Sequence, residues 1–152
     1  MKNTGFRDGW LTSQDGLRLY YRDYGDAMNP ATPVLCLPGV TRNSKDFALL
    51  AEWLSVHRWV ICPDFRGRGR SDYDPDWKNY MPATYADDIR HLLVSLGVHR
   101  VHVIGTSLGG IVAMVMAGGK GVSQRALPAS RTVALASREK SAEAGCAATE
   151  ER

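Results

Sequence analysis

Val101-His102-Val103-Ile104-Gly105-Thr106-Ser107-Leu108-Gly109-Gly110 is the stretch that decides how this chain folds. It reads as a buried strand that breaks sharply into a helix, Leu108 to Ala117, with a serine at the turn. The G-x-S-x-G spacing has a steric reason. A serine at such a turn sits in a strained backbone conformation, and only small neighbours two residues away let strand and helix approach closely. The arrangement is that of a nucleophile elbow. All four histidines (His57, His91, His99, His102) and every aspartate precede Ser107, so no histidine follows the serine to act as its base.

Outward from the elbow, Pro33-Val34-Leu35-Cys36-Leu37 and Trp59-Val60-Ile61-Cys62 are short apolar runs like Val101 to Ile104, the kind buried on both faces of a parallel sheet. Between them, Asp46 to Leu54 and Thr84 to Leu96 place apolar side chains at helical spacings of three and four. Ser44 and Thr84 are expected as caps and Gly97 as a stop. Nearer the start, Gly9 to Thr12 and Leu17 to Arg22 flank Gln14-Asp15-Gly16 and predict an antiparallel hairpin. The expected fold class is therefore α/β: a mostly parallel sheet opened by an antiparallel hairpin, with helices on both faces.

Composition narrows the function classes. At 152 residues with 44% hydrophobic content, the chain suits one globular domain. The formal charge of +3 argues weakly for nucleic acid, because Arg66, Arg68 and Arg70 are followed at once by Asp72, Asp74 and Asp76. No nucleic-acid partner is expected. Met1 to Arg7 has no apolar run behind its charges, and the longest apolar run, Ile111 to Ala117, is far below a membrane span. Neither a secretory signal nor a membrane partner is expected. Cys36, Cys62 and Cys146 make no metal spacing and leave one unpaired, which fits reduced thiols in a cytoplasm. No metal and no organic cofactor are expected, since the ligand clusters for one are missing.

Two further motifs join the elbow. Leu35-Cys36-Leu37-Pro38-Gly39-Val40-Thr41-Arg42-Asn43-Ser44 follows one apolar strand, and Pro63-Asp64-Phe65-Arg66-Gly67-Arg68-Gly69-Arg70-Ser71-Asp72 follows the next. Together the three motifs make the chain resemble the N-terminal half of the α/β-hydrolase family, in particular its small bacterial esterase, lactonase and cofactor-free peroxidase-like members. In that resemblance the first stretch is the oxyanion loop, the second is the family's D-x-R-G-x-G-x-S turn, and Gly105 to Gly110 is its elbow. The family motif usually has a histidine before the glycine of the oxyanion loop, where this chain has Pro38. Since the loop donates a backbone N–H, the change leaves the hole intact. The Arg-Gly-Arg-Gly-Arg run is read as structural, not as an RNA-binding segment or half of a dinucleotide fingerprint. Gly118-Gly119-Lys120-Gly121 lacks the spacing of a phosphate loop.

The resemblance implies acyl transfer. Ser107 would attack a carbonyl carbon of a small ester, lactone or related substrate, with the backbone N–H groups of Val40 and Leu108 as oxyanion hole and Gly105 and Gly109 as elbow glycines. The bland reading of Ser107 is a helix cap. The family orders its triad as serine, acid, histidine, and none of the four histidines fits the last place, so neither acid nor base is carried over. As it stands the chain is expected to be a catalytically impaired, truncated serine-type hydrolase. The rival reading is a non-catalytic binding module built on a degenerate hydrolase fold; a second chain supplying acid and base is a third.

Composition changes near Ala117. No aromatic residue follows Tyr85, and the last stretch is rich in Ala, Ser, Gly, Arg and Glu, with only Val122, Leu127, Val133 and Leu135 as larger aliphatics. The expected division is residues 1–117 as the N-terminal portion of the hydrolase domain and 118–152 as a low-complexity tail, disordered or translated in a shifted frame. The sheet edge left bare would favour self-association or aggregation.

Overall fold

The computed structural model describes residues 5–118. The expectations for 119–152 lie outside the described residues. β1 (Phe6–Thr12) and β2 (Arg18–Tyr24) form the antiparallel hairpin, longer at its open end than the pattern predicts, where it starts at Phe6 and finishes at Tyr24, and one residue shorter at the turn, where β2 begins at Arg18. β3 (Val34–Leu37), β4 (Val60–Pro63) and β5 (His102–Gly105) each lie within one residue of the apolar runs that predict them. The sheet order is β1-β2-β4-β3-β5. β4 pairs antiparallel with β2 and parallel with β3, and β3 pairs parallel with β5.

Side chains alternate across a strand, so β2, β3, β4 and β5 each feed two cores. On one face Leu35, Leu37, Ile61 and Val103 pack with Tyr85, Ile89, Leu92 and Leu93 of α2 (Pro82–Ser95) and Val112 and Ala113 of α3 (Leu108–Gly118). On the other, Val34, Cys36, Val60, Cys62 and Tyr24 pack with Ala51 of α1 (Ala48–Ser55) and with Phe47. Cys36 and Cys62 are free and buried. No helix among the described residues is long and apolar enough to cross a membrane.

Two capping expectations change. Asn43, not Ser44, caps the 3-10 turn that leads into α1, its side chain accepting from the Lys45 N–H. Ser44 is buried inside that turn instead. α2 begins at Pro82, which tolerates the first helical turn because its missing N–H would be unpaired there, and Thr84 lies inside the helix. Gly97 follows the helix as expected, with φ +68.

Candidate active site

The β3–β5 pairing puts Leu37 opposite Gly105, so the chain leaves both strands at one edge and the loops they enter are neighbours. The Thr106 N–H donates to the Leu37 carbonyl at 3.1 Å, extending the pairing to the turn itself. Ser107 comes next, with φ +49, the one non-glycine residue with positive φ among the described residues. A helix cap has an extended backbone, so this conformation rules out capping as a full account of Ser107. Its side chain is exposed. Such a backbone costs roughly 1–3 kcal/mol and persists only where the surroundings over-determine it.

The surroundings do so through two glycines. A Cβ at Gly105 would lie 2.5 Å from the Gly109 backbone, and one at Gly109 would lie 2.1 Å from the Leu37 carbonyl oxygen. Helix α3 therefore starts against the end of β3 at a distance that no side chain permits. Gly110, by contrast, has its nearest neighbour at 3.6 Å and is not required by packing.

Beside the serine, the Arg42 N–H donates to the Gly39 carbonyl at 3.1 Å, closing a tight turn. Because the peptide is planar and trans, the Val40 N–H points opposite to that carbonyl, out of the turn. Neither the Val40 nor the Leu108 N–H has a backbone acceptor among the described residues. Gly39 itself is flanked by the Ser107 side chain: a Cβ there would lie 3.7 Å from Ser107 Cβ and 3.5 Å from Arg42 Cγ.

The turn after β4 explains why this loop holds its shape. Asp64, 3% exposed, accepts from the Ser44 N–H at 2.7 Å and the Arg70 N–H at 2.9 Å, tying the β3 loop to the β4 loop. Gly69 must be glycine for this, since a Cβ would fall 2.0 Å from Asp64 Oδ2. Ser71 donates to the Asp64 carbonyl at 2.7 Å and accepts from the Tyr20 N–H at 2.9 Å. Arg68 donates from Nε to the Val40 carbonyl, so the second loop grips the proposed donor residue directly.

Arg66 is the centre of the turn. It is 2% exposed and reaches Asp88 at 2.6 and 2.8 Å, Asp74 at 2.6 Å and Asp15 at 2.7 Å. The hydrogen bonds it donates to Asp88 foremost hold it charged beyond its ordinary range. Burial pushes the Asp88 carboxyl up, against the opposing pull of Arg66. Asp15 is held below the usual carboxylate range by Arg66 and then Ser13; Asp74 is held low by the Asp76 N–H and then Asn79. The run Arg66, Arg68, Arg70 is thus compensated differently from its sequence neighbours. Of Asp72, Asp74 and Asp76, only Asp74 pairs with one of the three, while Arg70 pairs with Asp8 at 2.8 Å.

The histidines lie elsewhere. His57 follows α1 and His99 precedes β5, so both sit toward the amino ends of the parallel strands, a strand length from Ser107. His102 pairs with Val34 at the start of β5, and His91 lies within α2. The structure gathers Ser107, Val40 and Leu108 and brings none of these rings to them. Asp64, Arg68 and Arg42 are the residues that the motif reading left without individual roles. Asp64 and Arg68 act through sequence-distant backbone groups, which no local spacing reveals.

Residues 32–125 match the sequence profile described as alpha/beta hydrolase fold. A 3-hydroxybutyrate-oligomer hydrolase of Cupriavidus necator is 39% identical over 101 residues, covering 66% of this chain and 34% of that protein. A proline iminopeptidase of Levilactobacillus brevis is 36% identical over 100 residues, covering 63% of this chain and 33% of the relative. The crystal structure of an alpha/beta hydrolase from Novosphingobium aromaticivorans superposes with a TM-score of 0.71 at 46% identity, covering 76% of this chain and 40% of that one. The chain thus spans about a third of the length of the curated relatives it matches.

Proposed function

The chain belongs to the α/β-hydrolase fold family, and from that premise we propose that it carries the nucleophile and oxyanion-binding part of a serine-type carboxylic-ester hydrolase. Ser107 is the nucleophile, and the Val40 and Leu108 N–H groups are the oxyanion donors. The observation that supports this reading best is the exposed Ser107 at φ +49, held at the carboxyl edge of β5 beside a loop whose outward N–H has no backbone acceptor among the described residues. Ligands of open α/β sheets bind at this edge.

In the proposed reaction Ser107 Oγ attacks the ester carbonyl carbon and gives its proton to a base. The carbonyl oxygen becomes an oxyanion facing the two N–H groups, whose preorganised dipoles stabilise it without reorganisation. Collapse breaks the ester bond, the alcohol leaves with the proton, and water then cleaves the acyl-serine. The substrates are small esters or lactones; the Cupriavidus relative, a 3-hydroxybutyrate-oligomer hydrolase, points to esters of short hydroxy acids. No histidine follows Ser107 in the sequence, and in this reading the base comes from outside the described residues. Without a base the serine hydroxyl stays neutral and weak. Loss of the triad partners lowers turnover by about 10⁶ and leaves roughly 10³ to 10⁴ over water from the hole and binding.

A fluorophosphonate tests the reading. We expect a single adduct on the peptide that contains Ser107, formed faster when imidazole is added as an external base and absent in Ser107→Ala. Folded, soluble protein that takes up no label in imidazole, or label that persists in Ser107→Ala, would overturn it.

A further inference from the structure

We propose that Arg42 and Arg68, on either side of Val40, form an anion-recognising rim at the nucleophile, so that the ester taken there carries a carboxylate close to its reacting carbonyl. The inference rests on Ser107 and Val40 having the roles just given, and it specifies the substrate class of that same site.

Three observations carry it. First, position: the Arg42 stem and the Ser107 side chain both flank Gly39, at 3.5 and 3.7 Å from the point where a Cβ would stand. The Arg42 guanidinium lies three bonds further out, and its side chain is 66% exposed. Arg68 approaches from the β4 loop, where its Nε donates to the Val40 carbonyl.

Second, free valence. Arg42 uses only Nε, on Asp46 at 2.6 Å, leaving both terminal nitrogens without a protein partner among the described residues. Arg68 spends Nε on Val40 and Nη1 on the Gly67 carbonyl at 3.2 Å, so its hydrogen bonds among the described residues go to carbonyls alone. A planar guanidinium with free terminal nitrogens matches the two oxygens of a carboxylate.

Third, charge. Two guanidiniums stand beside the proposed hole, and among the described residues one carboxylate, Asp46, pairs with Arg42 and none with Arg68. Elsewhere in the same motif the cations are answered: Arg66 by three carboxylates and Arg70 by Asp8. Within this motif the positive charge without a carboxylate partner is thus Arg68, beside the site. It favours an acyl or alcohol portion ending in a carboxylate, such as the end of a short hydroxy-acid ester.

The test titrates the full chain with 3-hydroxybutyrate and, separately, with its methyl ester, and follows the backbone amide resonances of Val40, Ser107 and Leu108 at low salt. We expect the carboxylate to bind about tenfold more tightly than the methyl ester, with the preference shrinking as salt rises. Arg42→Gln should reduce the ratio several-fold, Arg42→Lys should restore part of it, and Arg42→Gln/Arg68→Gln should bring it to about one. The methyl ester controls for any damage to the hole that loss of the Arg68 bond to Val40 causes. Equal affinity for the two ligands, no shift at these amides, or a preference that survives in the double variant would overturn the rim. Fluorophosphonate labelling separates the two readings: label on Ser107 without carboxylate preference removes the rim alone, and preference without label removes the nucleophile assignment alone.

Discussion

The turn after β4 and the turn after β5 stand at the same edge of the sheet, one strand apart, and are built in opposite ways. After β4, Asp64, Arg66 and Ser71 are all buried and each has several hydrogen-bond partners. After β5, Ser107 is exposed, its backbone is strained, and the N–H beside it has no backbone acceptor among the described residues. Saturated polar contacts rigidify a loop, whereas unsatisfied N–H groups are what a reacting oxygen needs. The lesson is that the turn after β4 holds the β3 loop beside Ser107 in place: Asp64 fixes Ser44 and Arg68 grips Val40, so the β3 loop between them has little freedom.

The largest expected effect comes from removing the centre of the saturated turn. Arg66→Leu leaves Asp88 buried without its cation, and we expect about 3–5 kcal/mol of lost stability at neutral pH by urea denaturation. The pH dependence has a definite sign. Asp15 and Asp74 are held low, so their contribution is present above the ordinary carboxylate range and is lost as pH falls through it. Asp88 is held high, so its contribution is full below the ordinary value and is lost as pH rises. In the variant Asp88 has no cation and gains from protonation, while the wild type loses its low carboxylates. The gap between the two proteins should therefore narrow toward acid; a constant gap would mean that Arg66 acts through packing alone.

Next comes the elbow. Gly109→Ala drives a methyl group into the Leu37 carbonyl and should cost about 1–3 kcal/mol. Gly110→Ala, one position on, has room and should stabilise α3 by about 0.5–1 kcal/mol. Similar effects at both positions in thermal melts would show that α3 does not start as tightly against β3 as described. Ser107→Gly removes the side chain from a left-handed position and should raise stability by about 1 kcal/mol while abolishing fluorophosphonate labelling. A loss of stability instead would mean that the serine side chain supports the turn. The smallest effect belongs to the surface: Arg7→Ala breaks an exposed pair with Asp23 at 3.1 Å and should change stability by less than about 1 kcal/mol.

Much of the fold was legible from local pattern. Apolar runs at Val34, Val60 and Val101 predict β3, β4 and β5, spacings of three and four predict α1 and α2, and Gly105-x-Ser107-x-Gly109 predicts a sharp turn with serine at its tip. Helix starts were less legible: Asn43 caps in place of Ser44 because either residue can satisfy the same capping chemistry, whereas α2 starts at Pro82 with no side-chain cap, since proline suits the first turn.

By itself the sequence determined which residues alternate, which small residues flank the serine, and that no histidine follows it, because each of these is a matter of spacing along one chain. Only the tertiary structure decided the partners. Arg66 finds Asp15 across 51 positions and Asp88 across 22, Ser44 finds Asp64 across 20, and Arg68 finds Val40 across 28. The physical reason is that backbone propensity and hydrophobic period act over a few residues, while buried polar groups must be satisfied by whatever the packed elements bring near. Which N–H stays without a partner is settled only after all the others have been paired.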